Sequence, residues 1–227
     1  DDGSTTDSSQ SQRFGQSHKI SEPGVGSGRT TATKYLFVGA PGYDNNRGRV
    51  YMYEWGIGAD GSTYDTWTQN LTLESADPGR SKRFGYAIES NDNGDILVVS
   101  SVAPGQAGKV EIYIRNSQAN DGSTDHSFTL AQTLTGTSID DSSLNTKFGE
   151  SISMTKDGTV LVIGAPGVDG TDDSTTQPDA GAVYYYKWNA DGSTNTYTLQ
   201  QTITAPESKS NMKFGTSVDL NDAGTRV

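Results

Sequence analysis

Cysteine is absent from the 227 residues, which excludes disulfides and thiolate metal sites and leaves the redox compartment undecided. Histidine is nearly so: only His18 and His126 could serve as bases near neutral pH, and neither stands in a nucleophile, metal or triad setting. Basic residues are scarce and scattered, 17 Lys and Arg against 28 Asp and Glu. The resulting net charge of −11 argues against nucleic acid, whose phosphates call for a basic patch. No apolar run approaches the roughly 18 residues that a membrane-spanning helix needs. Hydrophobic residues make up only 31%, yet Val, Ile, Leu and Tyr fall in short, regularly spaced clusters, which a disordered chain would lack.

What is abundant is glycine, with Ser, Thr, Asp and Asn crowding the segments between those clusters. The stretch from Phe148 to Gly167 reads strand, turn, strand: Ile152 and Met154 alternate with polar neighbours, Lys156-Asp157-Gly158 is a turn, and Val160 to Ile163 is an apolar run ended by Gly-Ala-Pro-Gly. Its opening Phe-Gly recurs as Phe14-Gly15, Phe84-Gly85 and Phe214-Gly215, each after Arg or Lys, at intervals of 70, 64 and 66 residues. The closing tetrapeptide recurs whole at Gly39 to Gly42. A period of this size has room for about four short strands and their turns, so the chain is a repeat protein.

In the third repeat the hairpin is followed by an acidic loop, Val168 to Gly181, and a third strand, Ala182 to Trp188. Val183 and Tyr185 should face one side of that strand and Tyr184, Tyr186 and Trp188 the other, so the strand is expected to be covered on both sides. A fourth strand is expected to carry Tyr197, Leu199 and Ile203 on one face. The second repeat has the same plan, its closing tetrapeptide read as Val102-Ala103-Pro104-Gly105; the first carries an insertion from Glu22 to Thr33. Trp67, Phe128 and Tyr197 each lie six residues before Leu73, Leu134 or Ile203, a spacing read as packing on one strand face. Gly48, Gly108 and Gly181 stand in front of strand three, where a residue without Cβ permits a close backbone approach.

The fold class that follows is all-β, built of β-propeller blades of four antiparallel strands: about three blades plus the start of a fourth, expected to belong to a larger propeller. The segments are a polar lead-in at 1–13, blade repeats at 14–83, 84–147 and 148–213, and the truncated start of a fourth at 214–227. These residues resemble the FG-GAP family, the repeat of the integrin α-subunit propeller and of bacterial, algal and phage surface proteins. The resemblance rests on Phe14-Gly15 with Gly39 to Gly42, on Phe148-Gly149 with Gly164 to Gly167, and on the weaker copies at Phe84-Gly85 and Phe214-Gly215. It implies a ring of commonly seven blades, of which this chain would be a fragment.

Integrin-like members of that family carry a calcium loop, Asp-x-Asp-x-Asp-Gly-x-x-Asp, between the first two strands. This sequence departs from it: Asn91 to Asp95, Lys156-Asp157-Gly158 and Asn221 to Gly224 are short, with too few carboxylates for one ion, and read as hairpin turns. Asp169, Asp172, Asp173 and Asp179 form a second acidic candidate, read as a solvated loop, and the Asp-Gly-Ser-Thr copies beginning at 2, 60, 121 and 191 are read as turns. No catalytic, cofactor-binding or metal residue is assigned, and no cofactor is expected. Asn70-Leu71-Thr72 is a glycosylation sequon, expected within a strand.

The expected function is a non-enzymatic structural or adhesive module of an extracellular, cell-surface, filament or virion protein, offering a rigid surface to a protein or glycan ligand or to other subunits. The alternative is a secreted enzyme, carbohydrate-active or lipase-like, that uses the propeller as scaffold; converging carboxylates would favour it. A third reading, calcium-dependent ligand capture, would show as a melting shift on chelation.

Overall fold

The computed structural model describes residues 12–22, 34–55, 66–77, 79, 82–116, 127–136, 145–172, 174–190 and 195–226. Most of the insertion in the first repeat, all the Asp-Gly-Ser-Thr copies, His126 and Asp173 lie outside these residues. The first sheet runs β1 (His18–Ser21), β2 (Lys34–Ala40), β3 (Arg49–Trp55) and β4 (Trp67–Leu73), each strand antiparallel to the next. The second repeats this order with β5 (Phe84–Ser90), β6 (Ile96–Ser101), β7 (Lys109–Arg115) and β8 (Phe128–Thr135). The third is β9 (Ser151–Met154), β10 (Val160–Ala165), β13 (Ala182–Ala190) and β14 (Asn195–Thr204). Its acidic loop holds a small hairpin of its own, β11 (Gly170–Asp172) paired with β12 (Thr175–Gln177). Where the first sheet has that loop, the chain makes one irregular turn, α1 (Tyr43–Asn46), with Asp44 and Asn45 at positive φ.

The three sheets stack face to face in chain order, as propeller blades do, because nearly every strand is apolar on at least one side. Each sheet has a leading face toward the sheet before it and a trailing face toward the sheet after it. Tyr35, Phe37, Val50 and Met52 on the trailing face of the first sheet pack on Ile88, Leu97, Val99 and Tyr113 of the second. Ile96, Val98, Val110 and Ile112 of the second pack in turn on Ile152, Met154, Leu161, Ile163, Tyr184 and Tyr186 of the third. The trailing face of the third sheet, Val160, Val162 and Val183, is met by Leu220, with Phe214 and Val218 beside it. β13 is therefore covered on both sides, as its doubled apolar pattern predicts.

Two sequence expectations are corrected. Each fourth strand carries a register shift, opposite Met52/Tyr53, Ile112/Tyr113 and Tyr185/Tyr186, so one residue has no partner: Asn70, Ala131 and Gln200. A β-bulge reverses the alternation beyond it. Tyr197 therefore pairs with Trp188 on the leading face while Ile203 pairs with Val183 on the trailing face, and Trp67 and Leu73, like Phe128 and Leu134, are parted in the same way. The second correction concerns the closing tetrapeptide. Gly39, Ser100 and Gly164 are the residues paired with Val50, Val110 and Val183, so the counterpart of Gly-Ala-Pro-Gly in the second repeat is Ser100 to Ala103. Pro104-Gly105 belongs to the turn that follows, where Gln106 N–H donates to the Ala103 carbonyl at 3.2 Å.

Candidate contact surface

The joints between sheets are made by the Phe-Gly dipeptides. In all four copies a basic residue at positive φ (Arg13, Arg83, Lys147, Lys213) precedes Phe and Gly follows at positive φ; at Phe84, Phe148 and Phe214 this turn sets the phenylalanine against the preceding sheet. Phe84 N–H donates to the Arg47 carbonyl at 3.0 Å, Phe148 N–H to Ala107 at 2.9 Å and Phe214 N–H to Ala180 at 2.9 Å. In each case the next residue is the glycine before strand three. A Cβ on Gly48, Gly108 or Gly181 would lie 2.1, 2.2 or 2.2 Å from the carbonyl oxygen of Phe84, Phe148 or Phe214. These glycines, at φ +85°, +80° and +88°, are the sockets into which the next sheet plugs.

Around each plug the leading face repeats one aromatic arrangement. In the third sheet Phe148 meets Tyr184 edge-on at 5.6 Å and Trp188 meets Tyr197 at 4.9 Å. The second departs from it at two positions: buried Glu111 stands where the third has Tyr184, so that Phe84 meets Tyr113 instead at 6.2 Å, and Arg115 takes the place of the tryptophan, its guanidinium 5.4 Å from the Phe128 ring and 3.9 Å from the Tyr35 ring of the first sheet. Burial in these joints pushes the Tyr113 and Tyr197 phenols well above their ordinary range and Tyr186 up to about 12, so all three stay neutral.

The first sheet carries the same arrangement uncovered. Phe14 meets Tyr51 edge-on at 5.5 Å and Trp55 meets Trp67 at 5.3 Å, with Tyr53, Leu36 and Ile20 on the same face by register. Yet Phe14 is 56% exposed where Phe84 and Phe148 are both fully buried, and Ile20 is 46% exposed. Among the described residues no sheet stands before this face. Sequence reasoning assigned Trp67 to packing; only the stacking order separates a face that has a neighbour from this one, which among the described residues has none.

The turn residues and Asp169 are used internally. Asn91 Oδ1 accepts the N–H groups of Asp95 and Ile96, and Asn221 Oδ1 accepts those of Thr225 and Arg226, which closes the two hairpin turns. Burial tends to raise the Asp157 pKa, but hydrogen bonds from Thr155 and Thr159 outweigh it and hold the carboxyl below the usual range. Asp169 accepts the Asp179 N–H at the neck of the β11–β12 hairpin, and Asp172 lies on β11 away from that neck. Among the described residues no three of His, Asp and Glu converge as metal ligands would. His18 is exposed on β1, and Asn70 is the exposed bulge residue of β4.

No family model matches the chain, and no curated protein matches it. Among solved structures it is similar to the β-propeller domain of Myceliophteria thermophila Cps50 (Swd1), at 12% sequence identity and a TM-score of 0.42. The match covers 76% of this chain and 40% of that one. No helix among the described residues is long and apolar enough to cross a membrane.

Proposed function

We propose that this chain is a non-enzymatic structural or adhesive module whose working part is a surface. The observation that carries this reading is the uncovered leading face of the first sheet, where Phe14, Tyr51, Tyr53, Trp55 and Trp67 stand on a rigid four-stranded support. Aromatic side chains give large contact area at small cost in rotamer freedom, and clusters of them on a surface mark contact sites. An extracellular, cell-surface or virion setting accords with the acidic, Cys-free composition and with the resemblance to FG-GAP repeats.

The test pairs binding with turnover. The purified chain is expected to bind within a panel of polysaccharides and extracellular proteins and to lose that binding in the Trp55→Ala/Trp67→Ala variant. Hydrolysis of chromogenic glycosides or esters, abolished by replacing a single carboxylate, would overturn the reading in favour of an enzyme.

A further inference from the structure

Basic residues are scattered along the sequence, but the fold gathers one from each copy at the same end of the stack. Arg13, Arg83, Lys147 and Lys213 lie on the connections that lead into the four Phe-Gly dipeptides. Those connections are bonded to the loops between strands two and three. Gly42 N–H donates to the Gln12 carbonyl at 2.9 Å, Arg83 N–H to Asn46 at 2.8 Å, Gly167 N–H to Thr146 at 3.0 Å and Lys213 N–H to Asp179 at 2.9 Å. The four cations therefore share that end and follow the order of the sheets as an arc. Neighbouring copies are close: the charges of Arg83 and Arg13 both act on the Tyr86 phenol.

Two features set these residues apart from an ordinary solvated face. Each holds a positive φ, 52°, 58°, 53° and 54° in chain order, a conformation that glycine or asparagine adopts at lower cost. A long cation kept in a strained conformation in every copy points to a role for the cation itself. Their charges are also unmatched. The other cations of this end have carboxylate partners: Arg47 with Asp44 at 2.8 Å, Arg49 with Glu74, Lys82 and Lys109 with Asp77 at 3.9 Å, and Lys209 with Glu207 at 2.9 Å. Among the described residues Arg13, Arg83, Lys147 and Lys213 have none; Arg13 and Lys213 are exposed, Arg83 and Lys147 half-buried. Of the remaining carboxylates here, Glu150 accepts the Tyr86 hydroxyl at 2.9 Å and Asp169 the Asp179 N–H. Asp172 and Asp179 belong to the loop that holds Lys213, so the positive field is centred on Arg13, Arg83 and Lys147.

The geometry points to this arc as a binding site for an anionic polysaccharide, whose carboxylate or sulfate groups lie along it and pair with Arg83, Lys147 and their in-phase neighbours. Guanidinium and ammonium groups both suit such anions. A polysaccharide carries its charges at intervals along a narrow chain, so it can touch the arc alone. A nucleic acid duplex is broad and densely charged, and would meet the rest of a surface whose net charge is −11. The site is separate from the aromatic face of the first sheet and does not rest on it.

The experiment is affinity electrophoresis of the full chain through gels that carry alginate, dextran sulfate or neutral dextran, over a series of salt concentrations. Retardation by alginate or dextran sulfate is expected to exceed that by dextran and to fade as salt is added. The two charged gels separate carboxylate from sulfate recognition. Arg83→Gln/Lys147→Gln is expected to bind roughly fivefold more weakly, the loss of two exposed charge contacts. Lys156→Gln/Lys187→Gln, which removes the same charge at the opposite end of the third sheet, is expected to bind as the parent does. Arg83→Gly/Lys147→Gly separates binding from folding: it should lose the same affinity yet melt no lower than the parent, because glycine relieves the positive φ. Equal weakening by the two glutamine pairs would overturn the proposal, as would a glycine variant that melts well below the parent. Equal retardation by single-stranded polythymidylate would overturn it too. Binding at the aromatic face is read separately, with neutral glycans and Trp55→Ala/Trp67→Ala, so the two readings fail independently.

Discussion

The side chain of Gln132 clamps the backbone of Tyr197 across the joint between the second and third sheets: its Nε2 donates to the Tyr197 carbonyl at 3.0 Å and its Oε1 accepts the Tyr197 N–H at 2.7 Å. An amide with one donor and one acceptor thus stands in for a strand at the outer edge of the stack. Both partners are backbone groups of a β14 residue that also packs its ring into the apolar core.

Gln132→Ala removes both bonds together and leaves an N–H and a carbonyl in a half-buried joint, at a cost of about 1–2 kcal/mol. For a chain of this length that corresponds to a fall in melting temperature of roughly 2–4 °C per kcal/mol. An unchanged midpoint in thermal or urea unfolding would show that water replaces the clamp without loss.

Glycines of the four Phe-Gly dipeptides share a backbone conformation and differ in what surrounds them. Gly149 and Gly15 have φ +91° and +83°, but a Cβ on Gly149 would lie 2.8 Å from Ser100 Cβ and 2.9 Å from Val110 Cγ2, whereas one on Gly15 meets nothing within 4 Å. Gly15→Ala should cost only the left-handed backbone term, about 1–2 kcal/mol. Gly149→Ala should cost that plus roughly 1–3 kcal/mol of overpacking. Equal losses in paired denaturation curves would mean that the joint yields freely at Gly149.

These glycines also show how far the chain can be read without coordinates. The strand-three glycines were legible because a backbone contact that admits no Cβ leaves one residue type in place at every copy, and the glycines after Phe because all four sit at positive φ. The bulges were not, because Asn70, Ala131 and Gln200 share no chemistry; the bulge position is set by what the neighbouring strand pairs with. Alternation counted across a bulge puts Ile203 on the wrong side, although its distance from Tyr197 is the same in all three repeats. Phe14 was invisible as a surface residue for another reason. Its motif is that of Phe84 and Phe148, and burial here depends on what lies beyond the sheet.

The second joint is built from the same parts with one hydroxyl moved. Ser17 and Ser151 reach the Gly85 and Gly215 carbonyls past Gly39 and Gly164, while in the middle repeat the serine position is Ala87, the glycine position is Ser100, and Ser100 Oγ accepts the Ala87 N–H at 2.9 Å. Ser100→Gly alone should destabilise by about 1 kcal/mol, because that N–H loses its acceptor. Ala87→Ser alone should also destabilise, by crowding two hydroxyls. The double variant recreates the pattern of the other joints and should recover most of the loss, a coupling of about 1 kcal/mol or more in a double-mutant cycle. Additive losses would show that the swap is not compensatory.

Glu89 gives a prediction in pH. It lies on β5 with its Oε2 2.6 Å from Lys19 Nζ on β1. Burial raises its pKa above the ordinary 4.5, the Lys19 ammonium only partly offsets this, and the charge of Asp219 adds to the rise. The folded state therefore keeps the proton to a higher pH than the unfolded chain does. Stability from this group is fully present below pH 4.5, falls as pH rises through the raised value, and stays reduced at neutral pH. Glu89→Gln removes that dependence, and the Lys19 left behind is accessible enough to be hydrated. The variant should melt higher than the parent at pH 7, and the gap should close as the pH is brought below 4.5. A lower melting temperature for Glu89→Gln at pH 7 would show that the ion pair between the first strands of the two sheets outweighs the cost of burying the carboxylate.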